Sequence, residues 1–83
     1  MFEIRFYYKN DDRHSKNIVS FHTYNSFNSY GAAYEELIYL VDLYEEIGVN
    51  EVLFSPSIPN EVLQKYVLFL HSKGKDLVTI IKR

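Results

Sequence analysis

Apolar and polar residues alternate without interruption over residues 2–9. Phe2, Ile4, Phe6 and Tyr8 share one side of an extended chain, and Glu3, Arg5, Tyr7 and Lys9 share the other. This predicts a half-buried strand. Residues 10–15 form a polar turn cluster, and a second alternating run over residues 17–24 predicts its hairpin partner. Val19, Phe21 and Thr23 are expected to face inward, with Ser20, His22 and Tyr24 outward. If the two apolar sides are to meet, each opposed pair must join an even-numbered residue to an odd-numbered one.

After a polar connector at 25–29 the period changes. Ala33, Tyr34, Leu37, Ile38, Val41, Tyr44 and Ile47 recur at helical spacing, and Gly48 supplies a stop. Residues 51–54 read as a short strand, broken by Ser55-Pro56-Ser57-Ile58-Pro59. Pro59 opens a second helix, expected to bury Val62, Leu63, Tyr66, Phe69 and Leu70 and to end at Gly74. A last strand covers residues 76–82. The element order ββαβαβ predicts one α/β domain over residues 1–83, with a four-stranded mixed sheet and two helices. Strands joined through a helix run parallel, so the first strand should be antiparallel to the other three. The simplest layering, α+β-like, puts both helices on one face. The last two strands are nevertheless apolar on both sides. Leu53, Leu77 and Ile81 therefore need a cover, either a helix or another molecule, and they are the expected self-association surface.

Composition narrows the setting. The 83 residues include no cysteine, which excludes disulfides and thiolate metal sites and points to a reducing, cytoplasmic location. The start of the chain lacks the basic-then-apolar pattern of a secretion signal, and no apolar run is long enough for a membrane span. Tyr, Asn, Ile, Lys and Phe are abundant and use AT-rich codons. Together with the small size, this suits an accessory protein or inhibitor from a phage or mobile element.

Charge is more informative than its net value of −2. Residues 17–64 hold seven acids (Glu35, Glu36, Asp42, Glu45, Glu46, Glu51, Glu61) and no Lys or Arg. Most of these acids fall on the outer face of the first helix, around Tyr39 and Leu43. An aromatic and an aliphatic anchor inside a carboxylate rim suit a protein contact. Glu35, Glu36, Tyr39, Asp42, Leu43 and Glu46 are therefore the leading partner-binding residues. The bland alternative is a solvated helix face that carries two stray apolar residues.

A second candidate lies at the C-terminal ends of the parallel strands, the edge where open α/β sheets place ligands. Ser29, Ser55 and Ser57 gather there with Lys82 and Arg83 and could hold an anion, in a small enzyme or nucleotide binder. Helix capping alone accounts for the serines. A third candidate is the outer face of the hairpin, where Arg5, Tyr7, His22 and Tyr24 could stack single-stranded nucleic acid. The acidic middle of the chain argues against broad nucleic-acid binding. His14, His22 and His71 lack metal-ligand spacing, and Asp11-Asp12 lacks the calcium-loop pattern. No catalytic residue, metal or cofactor is expected. The reading that results is a non-catalytic protein-interaction module.

Overall fold

The structure of the chain is a computed structural model, and it describes residues 1–8, 21–45 and 51–83. The expected turn at 10–15, Val19, Glu46 and Gly48 lie outside the described residues. The elements are β1 (Phe2–Tyr7), β2 (Phe21–Phe27), α1 (Tyr30–Glu45), β3 (Glu51–Leu53), α2 (Asn60–Ser72) and β4 (Leu77–Lys82). They build a four-stranded sheet in the order β2-β1-β4-β3. β1 pairs antiparallel with both β2 and β4, and β3 pairs parallel with β4. This is the mixed sheet that the alternating patterns predict.

The layering differs from the expected one. Ile4 and Phe6 of β1 and Val78 and Ile80 of β4 pack with Ala33, Leu37 and Leu40 of α1. Tyr7 and Leu77, which point the opposite way from their strands, pack with Leu63, Val67 and Leu70 of α2. The two helices therefore cover opposite faces. Strand order is the cause. α1 carries the chain from one edge strand, β2, to the other, β3, and α2 brings it back one place to β4. Right-handed crossovers running in opposite directions along a sheet must lie on opposite sides.

This arrangement corrects the self-association surface. Leu77 is buried beneath α2, with the half-buried Leu53 and Ile81 packed against the same cluster. The apolar second side of β3 and β4 is covered from within the chain. Within α2 the core stripe is also turned from the expected one: Leu63, Val67 and Leu70 are buried, whereas Val62, Tyr66 and Phe69 are exposed.

The hairpin holds a second correction. Phe2↔Phe27, Glu3↔Ser26 and Ile4↔Asn25 follow the even-to-odd register, but Arg5↔Thr23, Phe6↔His22 and Tyr7↔Phe21 do not. The register shifts between Ile4 and Arg5, leaving Tyr24 as an extra residue in β2. A bulge of this kind sets two residues against one and inverts the facing of the strand beyond it. Phe21 and Thr23 consequently share the α2 side with Tyr7 and Arg5, while His22 lies on the α1 side opposite Phe6.

Helix ends follow local chemistry. The Ser29 hydroxyl oxygen accepts a hydrogen bond from the Ala32 N–H at 3.2 Å, capping α1. Pro59 sits just before α2 with ψ 144° and gives that helix no side-chain cap. At the other end Gly74 takes φ +73°. The Lys75 N–H reaches the Leu70 carbonyl at 2.9 Å and the Gly74 N–H reaches that of His71 at 3.0 Å, the paired bonds that close a helix on a left-handed residue.

Candidate functional site

α1 presents its buried stripe, Ala33, Leu37 and Leu40, at i, i+4 and i+7. Val41 is half-buried against the same cluster, and the opposite side of the helix is open to solvent. Tyr39 retains 62% of its accessible surface and Leu43 retains 49%. Glu35 and Asp42 are exposed beside them, and Glu36 is half-buried because it accepts a hydrogen bond from the Tyr24 hydroxyl at 3.0 Å. That bond ties the flank bearing Glu36 to β2. Of the six residues expected to contact a partner, five share this open side of α1 and Glu46 lies outside the described residues.

The C-terminal edge of the sheet forms a cleft of about 650 Å³, lined by Phe2, Tyr30, Phe54, Ser55, Pro56, Ser57 and Lys82. Phe2 and Lys82 stand directly opposite each other on β1 and β4. The Tyr30 ring meets Phe2 edge-on at 6.0 Å, and its hydroxyl donates to the Phe54 carbonyl at 3.1 Å. Ser55 and Ser57 belong to the cleft as the sequence suggests, with the Ser55 hydroxyl accepting from the Ser57 N–H at 3.3 Å. Ser29 does not line it and serves as a cap instead. Arg83 is directed elsewhere, to the buried carboxylate of Glu3 at 3.7 Å.

That carboxylate is the centre of a group the alternation pattern assigns to the solvent side of β1. Glu3 is only 1% exposed. It pairs with Arg5, accepts from the Thr23 hydroxyl at 3.3 Å and faces Arg83. Arg5 also donates to the Tyr7 hydroxyl at 3.3 Å and lies 4.0 Å from the centre of the Phe21 ring. Burial opposes the charge on Arg5, but its hydrogen bonds to Tyr7 and Glu3 and their charges outweigh burial, so its pKa is raised above the ordinary value. The i, i+2 spacing of Glu3 and Arg5 was the available signal. The bulge that adds Thr23 and Phe21 to their side was not visible in it.

The same inversion dismantles the third candidate. Arg5 and Tyr7 lie on the α2 side of the sheet, whereas His22 and Tyr24 flank Phe6 on the α1 side, with Tyr24 meeting it at a ring distance of 6.2 Å. These four residues form no common face. His71 is half-buried rather than solvent-facing, and its Nε2 has no hydrogen-bond partner among the described residues. Among those residues no group of three or more His, Cys, Asp or Glu could hold a metal ion, and no helix is long and apolar enough to cross a membrane.

Fold and surfaces thus define a small α/β protein with one helix on each side of a mixed sheet, an acidic helical flank and an aromatic cleft. No known family model matches the chain, and neither a curated protein nor a solved structure does.

Proposed function

We propose that this protein is a non-catalytic recognition module that offers the open side of α1 to a basic surface on a partner protein. The observation that carries this reading is the exposure of Tyr39 and Leu43 among Glu35, Glu36 and Asp42. An exposed phenol beside an isobutyl group provides apolar area, and the surrounding carboxylates select a cationic partner and speed its approach. With no Lys or Arg from residue 17 to residue 64, this acidity goes uncompensated along the helix. An inhibitor or accessory protein of a phage or mobile element would use such a surface to occupy a basic groove on its target.

Affinity purification from the native host is the direct test. The wild-type chain should retain a protein that the Tyr39→Ala/Leu43→Ala variant loses, with both chains giving the same circular dichroism spectrum. Equal retention by the two would overturn the reading.

A further inference from the structure

We propose that the cleft at the C-terminal edge of the sheet binds a small aromatic monoanion of the aryl carboxylate class, with Lys82 as its charge partner. Its volume of about 650 Å³ lies inside the roughly 300–1,000 Å³ range of small-molecule sites. Among the described residues that line it, Phe2, Tyr30 and Phe54 are aromatic. Their rings are held in place before any ligand arrives. Tyr30 is fixed by its bond to the Phe54 carbonyl at 3.1 Å and by its edge contact with Phe2, and Tyr34 supports the Phe54 ring from behind at 5.1 Å. Rigid rings favour a flat apolar body, because stacking on them costs little ordering.

The charge of the ligand follows from the cations at hand. Among the described residues, Lys82 is the one cation lining the cleft, and its ammonium has no ion-pair partner there. The neighbouring Arg83 is engaged with Glu3. One ammonium balances one negative charge. A second or third phosphate would face only the hydroxyls of Ser55 and Ser57, a poor exchange for its hydration. The site therefore selects a singly charged ligand over a nucleoside triphosphate. It is also independent of the α1 contact surface, since neither Tyr39 nor Leu43 lines it.

The probe is 2-naphthoate, compared with its neutral isostere 2-naphthamide in a ¹H–¹⁵N NMR titration of the intact chain. 2-Naphthoate should give saturable shifts centred on Phe2, Tyr30, Ser55 and Ser57. The amide should bind about fivefold more weakly, the scale of one solvent-accessible ion pair. Lys82→Gln should lower naphthoate affinity by the same factor and leave the amide unchanged, and Lys82→Arg should restore it. The Tyr39→Ala/Leu43→Ala variant should bind naphthoate like the wild type, which separates this site from the proposed partner surface. No saturable shift up to the solubility limit of the probe would overturn the proposal, as would equal affinity for the two probes or shifts centred away from the cleft.

Discussion

The side of the sheet under α1 and the side under α2 draw on the same strands yet bury them by different means. Beneath α1, β1 and β4 contribute Ile4, Phe6, Val78 and Ile80 to a cluster made wholly of apolar side chains. Beneath α2, the apolar cluster takes Tyr7 from β1 and Leu77 from β4, while Glu3 and Arg5 of the same β1 lie outside it. There the Glu3 carboxylate pairs with Arg5 along the same strand, accepts from the Thr23 hydroxyl of β2 and faces Arg83 just past β4. The contrast shows that one side of a sheet can carry a buried polar group, here an ion pair along β1 joined by a hydroxyl from β2, beside an apolar cluster. A buried pair of this kind adds little net stability, but removing one member leaves the other's charge uncompensated.

Ways to break this contrast can be ordered by expected size. Leu37→Ala, in the wholly apolar cluster, should cost about 3 kcal/mol by denaturant unfolding, a large share of the stability of so short a chain. Leu63→Ala in the smaller cluster under α2 should cost less. An equal or greater loss would mean that the α2 side is the main support. Next, Glu3→Gln should cost about 2 kcal/mol, because it leaves the largely buried Arg5 guanidinium without its counter-charge. The double change Glu3→Leu/Arg5→Met should be less damaging than Glu3→Leu alone. If the double variant is instead worse, the charged group contributes net stability.

Smaller effects come from the helix ends. Ser29→Ala should lower stability by about 1 kcal/mol through loss of the α1 cap, and Gly74→Ala should cost a comparable ~1 kcal/mol because an L side chain resists positive φ. A thermal melt resolves both. Least of all, Tyr39→Ala/Leu43→Ala should change stability by under about 0.5 kcal/mol, since both side chains stand in solvent. A larger loss would show that they support the fold rather than project from it.

Much of this architecture was legible in the sequence. Alternation located β1, the change to helical spacing located α1, and Pro59 and Gly74 bracketed α2. Strand directions followed from the crossovers. What stayed hidden depends on contacts distant in sequence. The order β2-β1-β4-β3 places the helices on opposite sides, and no local pattern encodes it. In α2, helical spacing marks Leu63 and Leu70 as core correctly, but it also marks Val62, Tyr66 and Phe69 in place of Val67. Large apolar and aromatic residues occur on both sides of that helix, and only packing distinguishes them. In the cleft, Ser55, Ser57 and Lys82 could be read from the ends of their strands. Phe2, Tyr30 and Phe54 could not, because their convergence requires β1, α1 and β3 to be already assembled.

The extra residue at Tyr24 carries a consequence for how this chain can vary. Deleting it would reverse the orientation of the preceding stretch of β2 at once, exchanging the roles of Phe21 and His22 with no substitution at either position. Length at this point acts as a parity bit for the hairpin. One codon gained or lost there would alter more chemistry than most amino-acid replacements.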